Sequence, residues 1–502
     1  MKLQNLVINK ILQFLKNNLL LSISIVFILA LSILIFSSPE TFYSSIESYS
    51  ISIRNIFGSF YLWLGLGCVL FLLILAFTPF GKIRLGGTKP EYKTLSWISM
   101  LYSAGMGAGI LLRAVQEPVF MQQNSPISTT SSAEVIALEY TFYQWGFTAW
   151  AFYVFFALVM GYYLFVRKKS MLLSNAFPQF EGSKLIKGVD LLTVLTTVIG
   201  IVAAIGLGTA QIEGGLTYLL DTENNYYFAY IFTFIIFLLG FISAYRGIHQ
   251  GIQKLSNWNI ALTFLLLIFI FVQSDILQIL ENFGLATYHY VIDFLPLSLA
   301  LGNYNPGKEF LTDWTLYYWA FWLAWAPFTG VFIARISKGR SIRQIILGGI
   351  LIPSLGSFLW FSVFGTSSFQ LIEAMGNYNG GFDNVFTSIF VFLEAYPLAT
   401  FTSIITIVLL VGFLITSVDS AIYVLSMFTD KGKQNPKKTH RLIWAILMFI
   451  FTEAILILGN FNAEVDVLTA MQKLLIITSL PFALLSVLIG IRLVKDFRTL
   501  KT

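Results

Sequence analysis

Charge is what this chain most lacks. Lys, Arg, Asp and Glu make up 11% of its 502 residues, against about 25% in a soluble domain, so it cannot cover a water-facing surface. Cysteine is nearly absent. Cys68 alone, in the apolar run WLGLGCVLF, excludes a disulfide framework and a cysteine-based metal site. The three histidines, His249, His289 and His440, are scattered and form no cluster in sequence. An integral-membrane enzyme would need a clustered nucleophile, a His pair or a carboxylate dyad, and a channel a filter repeat or a ring of like charge; neither is visible. What remains is apolar: 57% of residues are hydrophobic and the mean hydropathy is +0.78. This is the composition of a polytopic membrane protein, and no soluble domain is apparent.

A helix needs about 20 apolar residues to cross the hydrocarbon core. Twelve runs qualify, near 17–37, 57–79, 96–121, 134–165, 189–218, 226–244, 257–273, 312–334, 342–366, 399–427, 440–459 and 468–493. The first follows Lys2, Lys10 and Lys16 and is too long for a signal-peptide core, so it reads as a retained anchor. Of the 31 basic residues, 27 fall in the two termini and alternate loops; Arg54 and Lys308 lie in the opposite loops, and Arg113 and Lys473 within or beside spans. The positive-inside rule then places both termini in the cytoplasm. The pI of 9.1 is therefore a topology signal, not the mark of a nucleic-acid binder. The longest outer loop, 274–311, carries an apolar segment at 286–301 that reads as an interfacial helix. Lys473 is expected to snorkel to the outer face.

Two spans carry helix breakers. GMGAG at 105–109 puts three glycines in the third, each weakening a helix by roughly 1 kcal/mol relative to alanine. Pro327, in WAPFTG, interrupts the eighth. Interrupted helices at matching places in two halves point to a central carrier site, although glycines also serve close helix packing. Aromatics run into the spans: Trp145, Trp150 and Tyr153 in the fourth, and Trp314, Trp319, Trp322 and Trp325 in the eighth. Such faces suit a quaternary ammonium, each cation–π contact supplying about 0.5–2 kcal/mol; ordinary packing is the plainer use. In the tenth span, FLITSVDSA offers Thr416 and Ser417, whose oxygens could meet a hard cation such as Na⁺ or simply bond back to the helix. Thr193, Thr196 and Thr197 in the fifth span are further hydroxyls of this kind.

GMGAGILLRAVQEP, YQWGFTAWAFY, GIQKLSNWN, WAFWLAWAPFTGVFIARISKGRSIRQ and FLITSVDSA together resemble the betaine/choline/carnitine transporter family, from about residue 57 to 427. The resemblance implies an all-α membrane fold of twelve helices. In it two extra helices, with the N-terminus and first outer loop in 1–56 and the second helix and its loop in 57–95, precede two inverted five-helix repeats. These are 96–273 and 312–493, separated by the outer loop 274–311 and followed by a tail at 494–502. It implies no enzyme activity and no cofactor. It implies uptake of a betaine-, choline- or carnitine-like quaternary ammonium or related zwitterion across the cell membrane by alternating access, with Na⁺ as coupling ion, in a homotrimer. Residue by residue, Trp145, Trp150, Tyr153 and Trp322 match the aromatic cage, with Trp325 one turn further along the path. Gly105, Met106, Gly107 and Gly109 match the unwound stretch facing the substrate carboxylate. Phe413, Thr416 and Ser417, with Met106, match the sodium site, and Asp419 reads as structural. Arg335, Lys338, Gly339 and Arg340 match the basic loop after span eight. A tail this short implies no tail-based osmotic activation.

The departures bear on substrate. Arg113 stands where an aromatic is common, Phe321–Trp322 where two tryptophans are, and Glu213 where small or neutral residues are usual. A charge at the bilayer centre costs at least about 2.5–3.5 kcal/mol, so Arg113 needs a partner or a wet cavity. Either it locks to Glu213 or Glu117, or it faces the pathway and reads an anionic group on the substrate, or it modifies the coupling ion. With Arg113 or Glu213 altering the coupling, an Na⁺-independent exchanger or a proton-coupled carrier is the alternative.

Overall fold

The structure, a computed structural model, describes residues 13–499 except 15, 88, 106, 223–225, 247–248, 377 and 462–464, with the backbone alone at 102–105 and 249–253. Among its described residues all regular secondary structure is helical, apart from an isolated bridge between Arg84 and Ser341. Eleven helical stretches among them are long and apolar enough to cross a membrane. They follow the expected runs: α1 (Leu19–Ser37), α2 (Pro39–Phe77), α6 (Ala133–Trp145) with α7 (Phe147–Gly161), α8 (Lys184–Leu220), α9 (Tyr227–Arg246), α10 (His249–Gln273), α13 (Tyr317–Ile336), α14 (Ile342–Met375), α16 (Ala399–Thr429), α17 (Lys438–Leu458) and α18 (Val467–Phe497). The run expected at 96–121 is instead three short pieces, α3 (Thr94–Gly105), α4 (Ala108–Leu112) and α5 (Gln116–Gln123).

Burial separates a centre from a rim. In their most apolar windows, the α6–α7 stretch is 83% buried and α8 78%, whereas α1 and the tenth helix from Lys254 are 28% buried. A helix that is apolar all round and buried all round belongs to the middle of a bundle, so α6–α7, α8 and α13 form the axis around which the others pack. Between α10 and α13, α11 (Ile276–Ile292) lies against α6 and α14, and α12 (Phe294–Leu299) against α2. A short helix, α15 (Ser388–Glu394), precedes α16.

Several expectations are corrected. Pro327 does not break span eight: α13 runs through it, and the irregularity there is a π-helical turn at Leu311–Leu316. Span four, expected as one helix, is broken at Gly146. The second span is 39 residues long, starting at Pro39. The helix expected over 286–301 begins at Ile276 instead, because Asp275 caps it, accepting from the Leu277 and Gln278 amides at 3.0 and 3.1 Å. Lys473, expected to reach toward the outer face, pairs with Glu47 of the stretch read as the first outer loop, its Nζ 2.9 Å away. Glu47 also lies 3.7 Å from Arg54, which reaches Asp313 at 3.0 Å.

The basic loop after α13 is tied to the loop after α2 by main-chain bonds. Leu85 N–H donates to Arg340 O at 2.9 Å, Gly339 N–H to Leu85 O at 2.8 Å and Glu91 N–H to Lys338 O at 3.1 Å. Arg340 is buried, its guanidinium 4.1 Å over the Trp97 ring and bonded to Tyr92 O, and burial lowers its pKa. Lys338 pairs with Glu91 at 3.0 Å. Gly339 has φ +83°, and a Cβ there would stand 2.0 Å from Lys89 O. Gly87 shares the positive φ, +78°, but has open space around it. Gly87→Ala therefore incurs only the left-handed backbone cost of about 1–2 kcal/mol, and Gly339→Ala adds a backbone clash. Thermal unfolding in detergent should show the larger fall in Tm for Gly339→Ala; equal falls would contradict this packing.

Candidate functional site

The site begins with the double interruption of the third span. α3 ends at Gly105 and α4 begins at Ala108, with Gly107 extended between them (φ −146°, ψ −174°). Two glycines flanking one residue lower the cost of unwinding. Met106 lies outside the described residues. A second opening at Arg113 (φ −102°, ψ 0°) separates α4 from α5. Backbone freed inside a membrane bundle must find partners, and here the Trp360 indole donates to Ile110 O at 3.0 Å.

The fourth span opens against it. At Gly146 a Cβ would meet Phe142 O at 2.5 Å and the Tyr290 hydroxyl at 2.7 Å, so only glycine fits the bend. The Phe147 amide freed there donates to Tyr290 Oη at 2.8 Å. The bend leaves Trp145 on α6 and Trp150 and Tyr153 on α7.

Four expected cage residues come together. Ring centroids run from Trp150 to Tyr153 at 5.4 Å, Tyr153 to Trp322 at 6.0 Å and Trp322 to Trp145 at 5.1 Å, all steeply inclined. Gly109 completes one side, since a Cβ there would touch the Trp145 ring at 3.5 Å. Trp322 is fixed by its indole N–H on Gln144 O at 2.9 Å. Trp325 does not join these four. It stacks on Phe321 at 6.1 Å and donates to Gly200 O at 2.8 Å, where α8 and α13 approach so closely that a Cβ on Gly200 would meet Ala324 at 2.7 Å.

Glu117, absent from the expected site, organises the cluster. It is wholly buried and accepts from the Trp145 indole N–H (3.2 Å to each carboxylate oxygen) and from the Tyr318 hydroxyl. Tyr318 stacks on Trp322 at 5.7 Å, and its ring lies 5.7 Å from Trp145. Arg113 is the cation facing this carboxylate: its Nε is 3.9 Å from Glu117, its Nη1 donates to Gln116 Oε1 at 2.6 Å and its guanidinium lies 4.9 Å from the Trp314 ring centre. Of the two acids considered for Arg113, it is Glu117, four residues on, that pairs with it. That spacing was the available signal for Glu117; Tyr318, Gln144 and Phe361, the last 5.1 Å from Trp145, carry none in sequence.

Phe413, Thr416 and Ser417 lie on α16, which packs against α4 and α8. Thr416 donates to Phe413 O at 2.9 Å, leaving its oxygen lone pairs available. Thr193 and Thr197 likewise bond back to Val189 O and Thr193 O, and Thr196 turns to Thr478 O at 3.5 Å.

Helices crossing a bilayer, broken where aromatic rings converge, and a buried ion pair beside them define a membrane carrier. Residues 19–502 match the family described as BCCT, betaine/carnitine/choline family transporter, and the chain belongs to that family. It is 36% identical over 461 residues to the glycine betaine transporter OpuD of Bacillus subtilis, covering 90% of this chain and 88% of that one. It is 34% identical over 442 residues to the ectoine/hydroxyectoine transporter of Virgibacillus pantothenticus (86% and 87%). A glycine betaine/proline/choline/ectoine transporter of Vibrio parahaemolyticus is 32% identical over 481 residues (93% and 84%). The chain is thus a membrane transporter and not an enzyme.

Removing one member of a buried ion pair leaves the other uncompensated, at about 3–5 kcal/mol, while removing both costs far less. Arg113→Met and Glu117→Gln should each lower Tm strongly, and the double variant should recover more than half of the loss. Additive losses in thermal unfolding would show that the two charges are not coupled.

Proposed function

We propose that this carrier imports a trimethylammonium or related zwitterionic solute of the glycine betaine type by alternating access, coupled to Na⁺. The observation that carries this reading is the run of Trp150, Tyr153, Trp322 and Trp145 beside the unwound third span. A quaternary ammonium has no N–H to donate, so π faces are its natural partners, and the amides released around Gly107 and Gly109 suit its carboxylate. Trp325, tied to α8, would line the path beyond. Relatives named for glycine betaine and for ectoine support a compact zwitterion as cargo.

Thr416 and Ser417, with the Phe413 carbonyl and Met106, are the proposed Na⁺ ligands. Oxygen donors suit a hard cation, and the helix that carries them packs on the broken span. Arg113 acts through Glu117 and positions the cage: its contacts to Glu117, Gln116 and Trp314 favour this over direct reading of the substrate anion or a role in coupling. The carrier sits in the cell membrane with cytoplasmic termini, as two inverted repeats over 96–273 and 312–493, and assembles as a trimer.

Uptake of radiolabelled glycine betaine into proteoliposomes, with and without an inward Na⁺ gradient, tests this. Accumulation should require Na⁺. Loss of one cation–π contact worth about 0.5–2 kcal/mol means Trp150→Leu should weaken apparent affinity roughly 2- to 30-fold, with Trp150→Phe much closer to wild type. Thr416→Ala should raise the Na⁺ concentration needed. Accumulation indifferent to Na⁺ and to Trp150→Leu would contradict the proposal.

A further inference from the structure

Glu139 lies on α6, seven residues before the Gly146 bend. It is wholly buried, and among the described residues neither carboxylate oxygen has a hydrogen-bond partner. Burying a carboxylate with no donor and no cation is costly. Against it stand His289, on the last turn of α11, and Asp293, the residue that caps that helix. Four residues apart, they share one helix face. His289 Nδ1 is 3.5 Å from Asp293 Oδ2, and His289 Nε2 is 3.3 Å from Ser131 Oγ. One ligand atom from each of Glu139, His289 and Asp293 lies within 4.8 Å of the other two. The cluster opens at the bundle face that carries α11, since the His289 and Asp293 side chains are 28% and 17% exposed.

We propose that Glu139, His289 and Asp293 form a binding site for a divalent transition-metal ion of the zinc type, which clamps α11 to α6. Two carboxylates and a neutral imidazole balance a doubly charged cation, and an imidazole nitrogen selects zinc-like ions over Ca²⁺ or Mg²⁺, which prefer oxygen. With Nε2–H directed at Ser131 Oγ, Nδ1 presents its lone pair on the Asp293 side, and the hydroxyl orients the ring as outer partners of metal-bound histidines do. Ligand bonds of about 2.0–2.2 Å around a tetrahedral zinc put ligand atoms roughly 3.3 Å apart, so a contraction of about 1 Å or more closes the set. Water would complete the fourth position. The neighbour of His289, Tyr290, holds the Phe147 amide at the Gly146 bend, so a clamp here bears directly on the broken fourth span.

The test uses the full chain in detergent without a polyhistidine tag, dialysed against Zn²⁺ and assayed for bound metal and for Tm. Wild type should retain one Zn²⁺ per chain, and its Tm should rise by several degrees at about 100 µM Zn²⁺ and not with Mg²⁺, as ligand binding to the native state requires. His289→Ala, at a partly exposed position, should lose both effects, and Glu139→Gln should do the same. Wild type that retains no Zn²⁺, or His289→Ala that retains it at the same stoichiometry, would overturn the proposal whatever Glu139→Gln does, and neither result depends on transport.

Discussion

Glu117 is a carboxylate out of reach of water, and the arrangement of the site depends on how it is satisfied. An ionised acid in a bilayer bundle is tolerable only with donors and a countercharge. It has the Trp145 indole and the Tyr318 hydroxyl as donors and Arg113 as the cation. Each of those groups comes from a different piece of chain: α5 supplies the acid, the opening before it the arginine, α6 a tryptophan and α13 a tyrosine. One buried charge thus registers the broken third span against the fourth and eighth. The rings that surround it inherit that registration, since Trp145 and Tyr318 both pack on Trp322.

Glycines at the bends make this possible. Gly105 and Gly107 flank the unwinding of the third span, and Gly146 allows a bend that no side chain could occupy. The amides and carbonyls so released are taken by groups from distant helices, the Tyr290 hydroxyl and the Trp360 indole among them. Breaks and partners come as a set, because lipid offers no substitute for a missing hydrogen bond.

Much of this was legible in the chain. Hydropathy located the apolar core of most spans, since the length of apolar run needed to cross a membrane is nearly fixed, but not the helical extension of the second back to Pro39. The glycines at 105–109 signalled the first break, and the cage aromatics were visible as residues too deep to be interface anchors. Pro327 misled, because a proline within a buried helix removes one bond without ending it when neighbours hold both halves. Gly146 escaped notice because a lone glycine in an aromatic run looks like a packing site. Glu117 was overlooked as the centre of the cluster, although its spacing from Arg113 was in view. Glu139 and His289 are separated by 150 positions, and no local pattern joins them; their meeting is a property of tertiary packing alone.

The account turns on Glu117 holding the aromatic rings in place through Tyr318. Tyr318→Phe deletes the donor hydroxyl and keeps the ring and its stack on Trp322. Equilibrium binding of glycine betaine to the purified protein, followed by calorimetry, isolates that one bond. A hydrogen bond to a charged group is worth about 1.5–3 kcal/mol, so the account predicts a Kd weakened by roughly an order of magnitude or more in a protein that remains folded. An unchanged Kd in the folded variant would contradict it.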